Sequence, residues 1–289
     1  MKIGLGFANT LSFCDADGVG LLAEHGEAAG IESAWTIEHV IYPDGYESSY
    51  PYSGDGKMPA RPHTPMPDPL IWLAFLAART TSMRLATGIL ILPQRNPVVL
   101  AKEVATLDHL SGGRVELGIG VGWLQEEFDA LGVPWERRGA RTDDYVAAMR
   151  TLWSGDSVAH SSDFTNFEGV SSNPKPVSGS VPIVIGGHSE IAARRAGRLG
   201  DGFFPAGGDL PMLIDIVRQT AADHDRDPEA IEITTGGEKL LGDDPVGGAE
   251  ELRSAGVDRA IVPSLLFMKD AAAALAEFGE RVVAPTADV

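Results

Sequence analysis

Short apolar runs alternate with longer amphipathic stretches eight times along this chain, and that rhythm constrains the fold more than any other feature of the sequence. Lys2–Ala8, Ser33–Ile37, Arg84–Leu92, Arg114–Ile119, Pro182–Ile185, Gly202–Pro205, Ile231–Thr235 and Arg259–Pro263 read as strands. The helices read as Val19–Ala29, Pro69–Arg79, the stretch opened by Asn96-Pro97 and stopped at Gly112-Gly113, Thr142–Trp153, Ser189–Leu199, Pro211–Asp223, Gly248–Ala255 and Asp270–Val282. Asp68-Pro69 and Asn96-Pro97 each set a capping side chain directly before a proline at the first helical position. Strands such as Ile183-Val184-Ile185 are unbroken apolar runs, as parallel strands buried on both faces should be.

Eight strand–helix units in 289 residues predict a single α/β domain over residues 1–289, a (β/α)8 TIM barrel, with a doubly wound open sheet as the competing arrangement. Two long connections break the rhythm. One, about 40–67, follows strand two, and the other, 154–181, lies between helix four and strand five. Connections this long are often lids or binding loops. The first carries Tyr42, Tyr46, Tyr50 and Tyr52 among prolines, which either wall a ring-shaped ligand or pack the loop onto the barrel.

Charge and cysteine usage remove whole classes of function. With 41 acidic residues against 23 basic ones and a net charge of −18, the chain is poorly suited to nucleic acid or an anionic membrane surface. A small anionic ligand responds to the local field and is not excluded. Cys14 is the only cysteine, so neither an intrachain disulfide nor a thiolate metal cluster is expected. The start of the chain turns polar too early for a signal peptide, and no apolar run reaches the ~20 residues of a membrane helix. A cytoplasmic protein acting on a small molecule is the expectation. No H-E-x-x-H appears, no metal site is expected, and Gly187–Ile191 fails the nucleophile-elbow pattern at its last position.

Barrel chemistry gathers at the C-terminal ends of strands. Strand two ends in Glu38-His39, an acid beside an imidazole suited to proton transfer. Strand three holds Thr87-Gly88-Ile89, where the glycine marks a bulge, a bend or a close approach to a ligand. Strand four runs into Gly118-Ile119-Gly120-Val121-Gly122-Trp123, in which Trp123 stands where a dinucleotide fingerprint needs glycine. These glycines either bare the backbone to a flat ligand or form a tight turn. Strand five ends in Gly186-Gly187-His188-Ser189, either an anion seat at a helix start or an ordinary N-cap by Ser189.

Taken together, Trp35–His39, Tyr50-Pro51-Tyr52-Ser53, Thr87–Pro97, Leu110–Arg114, Gly118–Phe128, Gly186-Gly187-His188 and Gly200–Phe203 resemble the luciferase-like flavin and deazaflavin oxidoreductases. Within them the closest likeness is to the subgroup of probable F420-dependent oxidoreductases. The resemblance implies a cofactor ring across the barrel mouth, F420 or alternatively FMN. It implies a non-prolyl cis peptide at Gly88–Ile89 behind the ring, with Thr87, Gly120, Val121 and Gly122 beside it. It also implies the cofactor phosphate on Gly186, Gly187 and His188. His39 is then the catalytic proton carrier, and Glu38 orients it or contacts the ring. Trp123 occupies the place of a catalytic glutamate found in some sugar-phosphate-oxidising relatives, so that scheme does not transfer. A homodimer packed through helices 69–79 and 97–110 is the family-level expectation. The competing functions are an FMN-dependent two-component monooxygenase and a catalytically silent barrel.

Overall fold

The computed structural model describes residues 1–289. Eleven strands form in chain order: β1 (Lys2–Gly6), β2 (Ser33–Thr36), β3 (Arg84–Thr87), β4 (Leu90–Ile91), β5 (Val115–Gly120), β6 (Val158–Ser161), β7 (Asn166–Val170), β8 (Ile183–Gly186), β9 (Gly202–Phe204), β10 (Glu232–Gly236) and β11 (Arg259–Pro263). Ten helices accompany them: α1 (Ala16–Leu21), α2 (Pro69–Ala77), α3 (Pro97–Ser111), α4 (Gln125–Ala130), α5 (Arg138–Ser154), α6 (Glu190–Leu199), α7 (Leu210–Ala222), α8 (Pro245–Ser254), α9 (Ala271–Phe278) and α10 (Ala284–Thr286). Around the barrel the parallel order is β3-β2-β1-β11-β10-β9-β8-β5-β4, and pairing of β3 with β5 closes it. The chain is therefore a (β/α)8 barrel.

β3 and β4 are two halves of one barrel strand, parted by a cis peptide bond at Gly88-Ile89, where the family resemblance put one. Leu85 and Ala86 pair with Val115 and Glu116, while Leu90 and Ile91 pair with Ile119 and Gly120. From Ala86 to Leu90 the chain advances four residues against three on β5, so one residue bulges out of the ladder and points Ile89 at the mouth.

The predicted caps form as read. Asp68 accepts from Leu70 and Ile71 N–H, Asn96 from Val98 and Val99 N–H, and Ser189 from Ala192 N–H. The main core lies between the strands and the helices, and a smaller cluster of Trp35, Ala86, Val184 and Ile261 fills the barrel interior with Phe204 against it. At the barrel floor, the fully buried guanidinium of Arg259 meets Glu32 (2.9 Å), Glu116 (3.0 Å) and Glu232. Arg84 pairs with Glu116 and Lys2 with Glu232, so three cations face three carboxylates.

Two stretches differ from the sequence reading. Residues 154–181 contain the antiparallel hairpin β6–β7, pinned to α5 by His160 Nε2 at 2.8 Å from Asp144 Oδ1. Half-buried Val158 and His160 alternate with exposed Ala159 and Ser161 in β6, but Glu168-Gly169 break the rhythm in β7, so the apolar alternation is too short to read. Between strands four and five the chain forms α4, a six-residue helix, and α5 begins at Arg138, before Thr142. Residues 37–68 contain no helix or strand. No helix is long and apolar enough to cross a membrane.

Candidate active site

The mouth is organised from Asn9, fully buried just beyond β1. Its amide donates to the Ile37 and Pro67 carbonyls and accepts from Ile37 N–H, all at 2.9 Å, tying the end of β2 to the end of the 40–67 loop. Glu38 and His39 follow, and they part company. The Glu38 carboxylate, 2% exposed, accepts from Ile91 N–H (2.6 Å) and from Arg95 Nε (2.9 Å) and Nη2. Burial raises its pKa, opposed by the Arg95 charge and the Ile91 hydrogen bond. Glu38 thus braces the strand beyond the Ile89 bulge.

His39 is held by a different acid. Its Nδ1 lies 3.2 Å from Oε2 of Glu127, on α4, whose side chain is 1% exposed. The other Glu127 oxygen accepts from Val40 N–H (2.5 Å) and Ile41 N–H (3.3 Å), and Gln94 Nε2 donates to Oε2 at 3.2 Å. Burial works against the Glu127 charge, yet hydrogen bonds and the His39 charge hold its pKa below the ordinary carboxylate value. The expectation that Glu38 orients His39 is therefore corrected: Glu127 is the carboxylate in contact with the imidazole.

Glu126, the preceding residue, anchors the loop further along. Its Oε1 accepts from Glu47 N–H (2.6 Å) and Ser48 N–H (3.0 Å), while Ser48 Oγ accepts from Gln125 N–H at 3.1 Å. The loop tyrosines close on Trp123. Tyr46 and Tyr50 meet its ring edge-to-face at 5.7 and 5.1 Å, and His39 does so at 5.7 Å. Tyr52 reaches the His188 ring at 5.1 Å. The tyrosines both pack the loop and wall the mouth.

The glycines converge on one side chain. A Cβ at Gly120 would lie 2.0 Å from Ile89 Cδ1, one at Gly186 would lie 2.7 Å from Ile89 Cγ2, and one at Gly118 would lie 1.9 Å from the Thr87 carbonyl oxygen. Their missing side chains make room for the Ile89 side chain and the Thr87 carbonyl, so the half-buried Ile89 is the apolar platform. Thr87 is buried and donates from Oγ1 to the Gly118 carbonyl at 2.6 Å, behind that platform. Gly88 packs on Trp35 and Phe204, and Gly122 (φ +82°) turns the chain over Phe128 and Ile91. Val121, between them, is half-buried.

At the end of β8, Gly187 has φ +122° and its N–H donates to the Phe204 carbonyl at 3.3 Å. The His188 and Ser189 amides donate to no protein acceptor and stand at the start of α6. Among the buried side-chain atoms without a protein partner are Gln94 Oε1, Glu126 Oε2 and His188 Nδ1. The structure thus gathers His39, Gly88, Ile89, Gly120, Gly186 and His188 around the mouth, while the polar groups of Glu38, Thr87 and Gly187 are engaged within its walls. Glu127, Gln94 and Arg95 escaped the sequence reading; the acidic pair at the start of a helix just past a strand end was the available signal.

A family model described as luciferase-like monooxygenase matches residues 14–281. An uncharacterized protein of Mycobacterium tuberculosis is 35% identical over 192 residues, covering 66% of this chain and 66% of that protein. The FMNH(2)-dependent dimethylsulfone monooxygenase of Pseudomonas fluorescens is 30% identical over 210 residues, covering 70% of this chain and 52% of that protein. The chain thus spans just under two thirds of the first relative's length and about half of the second's. Among solved structures, the coenzyme F420-dependent tetrahydromethanopterin reductase from Methanopyrus kandleri has a TM-score of 0.75 over 98% of both chains at 17% identity, a likeness of fold.

Proposed function

This chain belongs to the luciferase-like monooxygenase family, and from that premise we propose that it is an oxidoreductase moving a hydride between coenzyme F420, a deazaflavin, and a small organic molecule at the barrel mouth. The observation that carries the reading is the pairing of an apolar platform, Ile89 cradled by Gly120 and Gly186, with an imidazole oriented by a buried carboxylate. A flat ring needs the first, and hydride transfer to or from a carbonyl or alcohol needs a proton carrier such as the second. The choice of deazaflavin over flavin rests on the likeness of Gly118–Phe128 and Leu110–Arg114 to the F420-dependent subgroup.

The mouth suits such a cofactor. The open His188 and Ser189 amides at the start of α6 offer donors for a phosphate. Gln94 Oε1 is a buried acceptor awaiting a donor and His188 Nδ1 a buried ring nitrogen without a partner, and a hydroxylated side chain, which both gives and accepts, suits the two. When bound, a deazaflavin supplies a carbon that gives or takes hydride and reacts poorly with oxygen. His39 gives or accepts the accompanying proton. Glu38, through Arg95 and Ile91, holds the platform strand in place, and Trp123 with Tyr46 and Tyr50 screens the mouth from water. The 40–67 and 154–181 loops and segment 236–247 choose the substrate. Exposed Ile71, Phe75, Val99 and Leu110 on α2 and α3 support the homodimer expected there.

A second reading, an FMN-dependent monooxygenase, is favoured by the dimethylsulfone monooxygenase relative. Parallel fluorescence titrations of the purified protein with F420 and FMN separate the two. Tight binding of F420 alone is the expected result. Binding of FMN alone transfers the case to oxygen chemistry, and binding of neither refutes the proposed mouth site.

A further inference from the structure

His39 has one nitrogen engaged and one free. Nδ1 contacts Glu127 Oε2 at 3.2 Å, and Nε2 has no protein partner. Glu127 collects four contacts on two oxygens: Val40 and Ile41 N–H on Oε1, Gln94 Nε2 and the imidazole on Oε2. Every one of these groups is a donor or can act as one, which suits an ionised, acceptor-only carboxylate. The Gln94 amide is oriented by the same logic, since turning it would set its carbonyl against that anion. Opposite an acceptor-only oxygen, the hydrogen of a neutral imidazole belongs on Nδ1.

We propose that Glu127 is the positioning residue of this site: it fixes His39 in the Nδ1–H tautomer and leaves Nε2 as the atom that exchanges a proton with a bound molecule. The inference rests on the reading of His39 as the proton carrier. The edge of Trp123 against the imidazole ring, at 5.7 Å and 80°, limits ring rotation and so supports a single orientation. The helix that carries Glu127 also binds the backbone of Val40 and Ile41, the two residues after His39, so backbone and ring are fixed by one carboxylate.

The test reads the tautomer directly. Multiple-bond 1H–15N spectra of 15N-labelled, cofactor-free protein, recorded at a pH where the ring is neutral, distinguish Nδ1–H from Nε2–H; the His39 signals are those lost in His39→Asn. The wild type is expected to show Nδ1–H, and an Nε2–H pattern overturns the proposal even if every variant misfolds. In Glu127→Gln the amide carbonyl is needed by Val40 and Ile41, so its NH2 group faces Nδ1 and the tautomer inverts; a folded variant that keeps Nδ1–H also overturns it. Gln94→Leu, which leaves the Glu127 acceptor in place, keeps Nδ1–H. In turnover with F420, Glu127→Gln is expected to lower kcat roughly 10²–10⁴-fold, as tautomer inversion does elsewhere, with cofactor affinity changed less than about threefold. Absence of turnover with any cofactor would overturn the function proposed above, while the spectra would still decide the tautomer.

Discussion

Alanine at Gly118 and at Gly120 should separate the framework of the mouth from its working surface. The added methyl at Gly118 lands 1.9 Å from the Thr87 carbonyl oxygen and 3.1 Å from its carbon. Favourable contact needs roughly 3.5 Å, so relief demands a movement of more than an ångström. The obstacle is backbone, held from the other side by the 2.6 Å bond from Thr87 Oγ1 to the Gly118 carbonyl. Overpacking usually costs about 1–3 kcal/mol, and with no side chain able to yield, Gly118→Ala belongs at the top of that range. At roughly 2–4 °C per kcal/mol for a chain of this class, its Tm should fall by about 6–12 °C. At Gly120 the methyl lands 2.0 Å from Ile89 Cδ1, the free end of a side chain that can swing away, with the next contact at 3.3 Å. That variant should lose only about 1 kcal/mol of stability, yet it displaces the platform and should weaken cofactor binding at least tenfold. Differential scanning calorimetry with cofactor titration reads both effects. Equal losses of Tm in the two variants, or unchanged cofactor affinity in Gly120→Ala, would refute the platform argument.

Two further outcomes concern the scaffold. Arg259→Met removes a fully buried guanidinium facing Glu32, Glu116 and Glu232, and should cost about 3–5 kcal/mol in urea unfolding at neutral pH. Arg84 and Lys2 still face Glu116 and Glu232, so the loss falls chiefly on Glu32, and a loss below about 1 kcal/mol at neutral pH would contradict the account. Glu27 loses some charge stability to burial, but hydrogen bonds from Ser82, Met83 and Thr81 bring its pKa down from 4.5 to about 2. A depressed carboxylate stabilises the fold above its unfolded pKa and ceases to do so as pH falls through the folded one. After discounting for solvent, the stability gap between wild type and Glu27→Gln should be about 1–2 kcal/mol above pH 5 and should close between about pH 4.5 and 2. A gap that stays constant over that interval would remove Glu27 from the account.

What the sequence revealed and what it concealed divide along physical lines. Strands buried on both faces, and helices opened by Asp68-Pro69 or Asn96-Pro97, declare themselves through local composition, and the barrel follows from their alternation. The β6–β7 hairpin does not, because its apolar alternation is too short to read. Glu38 and His39 look like a pair because they are adjacent, but consecutive residues leaving a strand point to opposite sides. The acid that meets the imidazole lies 88 residues away, a distance that no spacing rule encodes. The glycines of Gly118–Gly122 and Gly186 were visible as gaps, yet only packing shows that Ile89 fills the space they leave.

Consecutive carboxylates on α4 tie down the first part of the long mouth loop, Glu127 at residues 40 and 41 and Glu126 at residues 47 and 48. That arrangement divides the loop into two evolutionary compartments. Positions 40–48 share their attachment with His39, so drift there is felt by the proton carrier and selection should hold them still. Beyond the second tether, Tyr50 still packs on Trp123, and Met58 and Ala60 bond back to Tyr46 and Tyr42, so only the positions between these contacts can be exchanged with the imidazole left in register. A lineage built on this scaffold can therefore change what it acts on by rewriting the loop positions between these contacts, and a designer seeking a new substrate range should randomise there first.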